Sequence, residues 1–368
     1  MKRLKNKQNI NLMFLKLMIL SVFVSLSFSL FGIDIGSAYD YVYTDPPVCP
    51  EQEEKTAFLP DYIDHQIEVQ NQLGIMRNTH NLNILRVFAR WGNNHSAAAK
   101  GSYTGALIDP PQNTLPVNWL TNLQLFLEDV DSVGFDKIIL VLSGVGAYSF
   151  ECGRDLDGLV NPTFKNALDQ IMSVIQQSGN NNVIVSLGNE IAPSNYSSQC
   201  SIDAKTYVIK EIWEYYVDNY GVENVTFSAI LDKHPDFHIA GNRLDNLIKA
   251  IKSVGKGHPS VFDVHAYGTQ PEVVQQLRGV YQIYSDHGFL SNQANPKETI
   301  IGEVYYNDLG SAKGIKDYLE NYDGYNGGKI GLSGVIEWPI KLPRGCEHVA
   351  NVEPPYIASI YQFFLQGF

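Results

Sequence analysis

The sequence predicts an α/β fold, a single (β/α)8 TIM barrel. Short apolar runs rich in branched residues alternate with amphipathic stretches of helical length along nearly the whole chain. Eight such units can be counted, which favours closure into a barrel over an open sheet. No Gly-x-Gly-x-x-Gly fingerprint follows the first strand, which argues against a dinucleotide-binding sheet. A chain of 368 residues with 44% hydrophobic content is long enough for one large core of this kind.

In chain order, the first 38 residues read as an export signal. Lys2, Arg3, Lys5 and Lys7 form a positive start, and an apolar run from Leu17 to Phe31 follows. Gly36-Ser37-Ala38 then offers the small residues a signal peptidase reads, so cleavage is expected after Ala38, leaving residues 39–368 as one barrel domain. The competing reading is an uncleaved membrane anchor, since Leu12 to Ile35 could nearly span a bilayer. The serines dilute that stretch and tip the expectation toward a secreted or periplasmic protein with no lasting membrane partner.

The first strand is weakly marked, near Tyr39 to Tyr43. Clearer ones follow at Ile84–Ala89, Lys137–Leu142, Val183–Leu187, Val225–Ile230, Val261–Val264, Thr299–Gly302 and Ser333–Ile336. Between them, Pro60–Asn78, Asn118–Val133, Pro162–Gln177, Asp203–Tyr220 and Pro271–Asp286 are long enough for helices. In Asp203–Tyr220 the residues sort onto two faces at the 3.6-residue period. Gly134, Gly179, Gly221 and Gly288 stand where helices should stop. A last helix is expected near Pro355–Leu365.

The net charge is −12. With no basic patch to offset phosphate repulsion, nucleic acid is excluded as a partner, and a neutral substrate fits. The four cysteines, Cys49, Cys152, Cys200 and Cys346, are too far apart for a CxxC zinc or redox motif. In an oxidising compartment their even number suggests two disulfides. On a barrel, Cys152 and Cys200 follow neighbouring strands three and four. Cys49 and Cys346 follow strands one and eight, which close the ring, so the expected pairs are 49–346 and 152–200.

Chemistry on such a barrel belongs at the carboxyl ends of the strands. Strand two carries Arg86 and ends near Trp91; strand four runs into Asn189-Glu190; strand six carries His265 and Tyr267; strand seven ends on Glu303; strand eight ends on Glu337-Trp338. Glycoside cleavage needs such a set. One carboxylic acid protonates the departing oxygen, and a second carboxylate attacks or activates water at a cationic anomeric carbon. Aromatic rings suit the CH faces of sugars, while Arg, His, Tyr and Asn bond hydroxyls.

These motifs resemble the clan of retaining (β/α)8 glycosidases that includes cellulases, β-mannanases and related endo-β-glycanases (clan A, glycoside hydrolase family 5-like). The clan carries an Asn-Glu pair at the end of strand four and a second Glu at the end of strand seven, matched by Asn189, Glu190 and Glu303. Its His-x-Tyr on strand six is matched by His265 and Tyr267, and its substrate-facing Trp on strand eight by Trp338. The N-x-x-R-[IV]-x-x-x-W pattern of cellulase-like members is matched by Asn83, Arg86, Val87 and Trp91.

The resemblance implies Glu190 as acid/base and Glu303 as nucleophile in hydrolysis of β-linked glycans by double displacement. It places Arg86, Trp91, Asn189, His265, Tyr267 and Trp338 around the substrate. Arg86 and Tyr267 are expected to keep Glu303 ionised. Glu337 competes with Trp338 for the inward direction, since strand neighbours face opposite ways. No metal and no organic cofactor is expected, because no His-x-His ends a strand. The partner is an oligo- or polysaccharide, and a monomer is expected. The reading from another class is a non-catalytic carbohydrate-binding or host-interaction protein on the same barrel.

Overall fold

The computed structural model describes residues 33–39, 62–92, 106–107, 114–145, 162–290, 297–305, 308–322 and 330–338. Its eight barrel strands are β1 (Asp34–Ala38), β2 (Ile84–Gly92), β3 (Lys137–Val145), β4 (Val183–Ser186), β5 (Val225–Thr226 and Ser228–Ile230, separated by Phe227 alone), β6 (Val261–His265), β7 (Glu298–Tyr305) and β8 (Gly331–Trp338). Seven helices follow the first seven strands: α1 (Tyr62–Gly74), α2 (Val117–Val133), α3 (Pro162–Ser178), α4 (Gln199–Tyr220), α5 (Asn242–Val254), α6 (Gln270–Asp286) and α7 (Leu309–Asn321). All ladders among these strands are parallel. β8 pairs with β1, and the two halves of β5 pair with β4 and β6 respectively, so the ring is closed. This is the (β/α)8 barrel.

Alternation along each strand divides the core into two layers. Ile35, Leu85, Val87, Leu140, Val185, Phe227 and Val335 face outward onto helix residues such as Trp119, Phe126, Leu168, Trp213 and Tyr284. Ile84, Phe88, Ile139, Val141, Ile184, Val261, Ile300 and Ile336 fill the barrel interior. Branched residues predominate there because a short, shape-filling side chain is what a strand can insert between its neighbours. Each is worth roughly 1.5–3 kcal/mol of burial. The helices stop as the sequence predicts: Gly134 (φ 87°) and Gly221 (φ 86°) close α2 and α4 in a backbone conformation that side chains resist. α4 begins at Gln199, where the Ser198 hydroxyl caps the backbone N–H of Ser201.

The amino-terminal face of the barrel is tied by polar contacts. Lys137 of β3 reaches Glu298 of β7 at 2.7 Å, and the Ser333 hydroxyl of β8 donates to the same carboxylate at 2.7 Å. Asn83 donates to Asp34 at 2.9 Å and accepts from Arg77 at 2.9 Å. Asn83, part of the strand-two motif, thus locks β1 to β2 at the end away from the expected chemistry.

The first strand corrects the expected boundary. It is Asp34–Ala38 rather than Tyr39–Tyr43, and it pairs with β8 on one side and β2 on the other. The expected cleavage point after Ala38 therefore falls at the end of a strand that closes the ring. The glycine among these small residues has a packing reason. A Cβ on Gly36 would lie 2.5 Å from the Ile84 carbonyl oxygen and 2.7 Å from its Cβ. The barrel wall at this point has room only for a glycine. Residues 40–43, the expected last helix and Cys49, Cys152 and Cys346 lie outside the described residues; Cys200 stands in the first turn of α4. Among the described residues no helix is long and apolar enough to cross a membrane.

Candidate active site

Six side chains from four strands and their following turns converge at the carboxyl end of the barrel. Arg86 stands one inward position above Ile84 and one below Phe88, whose ring it faces at 5.1 Å. It is wholly buried, and one terminal nitrogen donates to Glu303 Oε1. The other donates to Asn189 Oδ1 at 2.9 Å and lies 3.2 Å from His265 Nε2. A guanidinium can only donate, so in the neutral ring His265 Nε2 accepts and the ring proton lies on Nδ1. That atom meets Glu190 Oε1 at 2.6 Å and lies 3.5 Å from Glu303 Oε2. The Tyr267 hydroxyl donates to Glu303 Oε2.

Glu303 reaches the interior through an irregularity. The β6–β7 register shifts between Val264 and His265, so that Val264 pairs with Ile301 but His265 pairs with Glu303. Such a bulge lets two successive residues serve one face. It requires Gly302, whose Cβ would fall 1.9 Å from Asp263 Oδ1. Glu190 is presented by a different device. β4 ends at Ser186, and the chain turns so that Glu190 has φ 54°, a left-handed conformation a side chain adopts at a cost of roughly 1–3 kcal/mol. Its backbone N–H donates to the Ser228 hydroxyl at 3.0 Å. The same hydroxyl lies 3.2 Å from Asn189 Oδ1. With its carbonyl oxygen occupied by Arg86 and Ser228, Asn189 offers its amide N–H groups to a ligand.

The two carboxylates differ sharply in setting. The Glu303 side chain is 8% exposed and that of Glu190 is 32% exposed. Burial pushes the Glu303 carboxyl up. The pull of His265 and Arg86, with hydrogen bonds from Tyr267 and Arg86, outweighs it and holds the carboxyl below its usual range. Burial pushes the Tyr267 hydroxyl far up, helped by the Glu303 charge, so Tyr267 remains a donor. Arg86 is buried, which works against its charge, yet Glu303 and Asp263 raise its proton affinity further. A lasting negative charge therefore sits on Glu303.

Oxygens of Glu190 and Glu303 and a ring nitrogen of His265 all lie within 4.8 Å of one another. These three atoms could also converge on a cation. The guanidinium in contact with Glu303 supplies that positive charge already and would repel a second, so the arrangement suits proton transfer and covalent chemistry better.

The structure brings together Arg86, Asn189, Glu190, His265, Tyr267 and Glu303. The side chains of Trp91 and Trp338 lie outside the described residues; their backbones end β2 and β8. Glu337, the rival of Trp338, is fully buried. Sequence reasoning passed over Ser228, which lies beneath Asn189 and Glu190, and Asp263, whose carboxylate lies 3.5 Å from Arg86. Asp263 was discoverable: it shares strand parity with His265 and Tyr267. Ser228 carries no comparable signal.

No known family profile matches the sequence, and no curated protein matches it. Solved structures do match. A psychrophilic glycoside hydrolase family 10 endo-β-1,4-xylanase aligns with a TM-score of 0.52 at 12% identity, over 91% of this chain and 97% of the other. A β-1,4-D-mannanase from Cryptopygus antarcticus gives 0.50 at 14% identity, over 77% and 80%. An exo-β-1,4-mannosidase from an Opitutaceae bacterium gives 0.52 at 12% identity, over 91% of this chain and 58% of the other. At these identities the likeness is one of fold. The resemblance of the motifs to retaining barrel glycosidases thus extends to the architecture that carries them.

Proposed function

We propose that the protein is a retaining glycoside hydrolase that cleaves β-linked glycans of the cellulose or mannan type by double displacement. The observation that carries this reading is the close approach of two unlike carboxylates. One oxygen of Glu190 lies within 4.8 Å of one oxygen of Glu303. Retaining enzymes space the pair at about 5–5.5 Å, and inverting ones at about 6.5–9.5 Å to admit a water.

In the first step Glu303, ionised beside Arg86, attacks the anomeric carbon. The glycosidic bond breaks, its electron pair goes to the departing oxygen, and Glu190 supplies the proton. In the second step water attacks the same carbon. Glu190 takes its proton, and the Glu303 ester oxygen leaves as carboxylate. His265, donating from Nδ1, holds Glu190 in place through both steps. Asn189 offers N–H to the sugar 2-hydroxyl, a bond that strengthens in the transition state. Trp91 and Trp338 are proposed as sugar platforms and Tyr267 as the donor that shares Glu303 with Arg86.

The test is a panel of β-glucans, β-mannans and xylans with reducing-end detection, run beside Glu303→Gln. Turnover by the parent and its loss in the folded variant support the reading. Glycan binding with no turnover by the parent would instead identify a carbohydrate-binding protein. Export is part of the proposal. With β1 beginning at Asp34, cleavage falls before Ile33, and Ser27-Phe28-Ser29 offers small residues at the required spacing. Amino-terminal sequencing of the secreted protein decides it: a start before Ile33 is expected, and a start at Tyr39 overturns it.

A further inference from the structure

On the amino-terminal face of the barrel, at the opposite end from the candidate active site, stands an amine that the mechanism does not use. Lys297 immediately precedes β7, and His258 lies three residues before β6. The Lys297 Nζ lies 3.0 Å from His258 Nδ1 and 5.5 Å from the centre of the Phe262 ring. Phe289, just beyond α6, packs edge-on against His258 with ring centres 4.7 Å apart, and against Phe262 at 5.7 Å. The amine is half-buried in this nest of rings.

Other lysines of the chain are paired. Lys137, Lys165, Lys249 and Lys256 each have a carboxylate oxygen within 2.9 Å. Among the described residues Lys297 has the imidazole alone as its hydrogen-bond partner. Glu298, its chain neighbour, is engaged by Lys137 and Ser333 instead. Burial and the charge of Lys297 itself push the proton affinity of His258 down, so the imidazole carries no charge near pH 7. A ring face attracts a cation only weakly at a surface. The charged groups that face the nest are Glu223 ahead of β5, Glu298 of β7 and Lys252 of α5, whose ammonium lies 5.7 Å from the Phe289 ring. An ammonium taken from water without a contacting counter-ion gives up its proton readily. Burial pushes the Lys297 amine down to about 8, against the opposing pull of Glu223 and Glu298.

We propose that Lys297 is a nucleophilic amine site that takes small aldehydes, the open-chain form of a reducing sugar among them, as an imine. The free amine attacks the carbonyl carbon. The carbon–oxygen double bond gives way to a carbon–nitrogen one, and the oxygen leaves as water with the two protons of the amine. His258, within hydrogen-bond reach of the same nitrogen, accepts and returns a proton as the adduct forms. The surrounding rings restrict the site to small carbonyl compounds. Reducing ends released by the proposed glycosidase belong to this class. That link depends on the glycosidase reading, and the site itself does not.

The experiment is trace labelling of the folded protein with glyceraldehyde, the smallest aldose, and cyanoborohydride, which reduces the imine to a stable secondary amine. Peptide mapping by mass spectrometry then ranks the lysines. At about 8 rather than the ordinary 10.5, an amine is free roughly 300 times more often near pH 7. Lower basicity and partial burial offset part of this. An advantage of about tenfold or more over Lys249 and Lys256 is expected at pH 7, shrinking as pH approaches 10. Labelling of Lys297 no faster than Lys249 at pH 7, or rising with pH only as that of Lys249 does, overturns the proposal. In urea the preference should vanish; if it persists, the local sequence and not the nest is its cause, and the proposal fails. His258→Glu sets a carboxylate beside the amine and should bring Lys297 down to the rate of Lys249. A folded variant that keeps the preference contradicts the proposal, and should it not fold, the parent labelling still decides. Absence of glycan turnover by the parent sinks the glycosidase reading alone, because the labelling needs no glycan.

Discussion

Replacing Arg86 with methionine removes one charge from the interior and keeps most of the volume. Its effect can be worked from two directions. A guanidinium in contact with a carboxylate lowers the carboxylate pKa by about 1–3 units. Each unit is worth about 1.4 kcal/mol, so the Arg86 charge contributes on the order of 1.4–4 kcal/mol at Glu303. Independently, breaking a buried pair by removing one member costs about 3–5 kcal/mol. The two estimates overlap, and the first falls lower because it omits the bonds from Arg86 to Asn189 and His265.

The sign with pH follows. The Glu303 carboxyl lies below its usual range in the folded protein. Its stabilising contribution is therefore complete above the unfolded carboxylate value and is lost as pH falls through the folded one. In Arg86→Met two of the effects that oppose burial are gone, and the carboxyl shifts upward from its parent position. The deficit of the variant relative to the parent should be largest near neutrality and shrink as acid protonates Glu303. Urea unfolding at a series of pH values measures this directly. A deficit below about 1 kcal/mol at neutral pH, or one that does not shrink with acid, would refute the reasoning. Arg86→Lys should fall between, because an ammonium keeps the charge but lacks the fork that spans Glu303 and Asn189.

Other expectations can be checked separately. Tyr267→Phe removes a donor to Glu303, so the acid limb of kcat/KM should move up and kcat should fall by about 10- to 100-fold; an unmoved limb contradicts the assignment. Ser228→Ala leaves the Glu190 N–H without its acceptor and frees the left-handed turn, costing about 1–3 kcal/mol in unfolding and lowering kcat more than KM rises. Deleting residues 1–30 should leave a folded barrel, whereas deleting 1–38 removes β1 and should abolish cooperative unfolding seen by circular dichroism. Peptide mapping without reduction should recover Cys152 joined to Cys200 and Cys49 joined to Cys346.

Most of the barrel is legible in the sequence because buried parallel strands must be short and apolar and their helices amphipathic. Seven strands fall on the runs that predict them, within a few residues at their ends. β1 eludes that reading for a physical reason. A barrel strand that must touch its neighbour at Gly36, and that follows an apolar run, has the same composition as the end of an export signal. At the site, strand parity finds His265 and Tyr267, and apolar runs ending in Asn189-Glu190 and Glu303 mark the mouth. Parity alone would turn Glu303 outward, opposite to Ile300. What brings it in is the register shift above Gly302, a three-dimensional event that no periodicity records. Asp263 shows the converse case: its position is legible, but its importance emerges only once Arg86 and His265 are seen on either side of it.

The most direct test of the central claim is the anomeric configuration of the first product, followed by proton NMR during the early minutes of hydrolysis of a susceptible β-glycan. Double displacement through Glu303 predicts that the β-anomer forms first and then mutarotates. Initial release of the α-anomer would show that water attacks the glycan directly, and it would contradict the roles given to both glutamates.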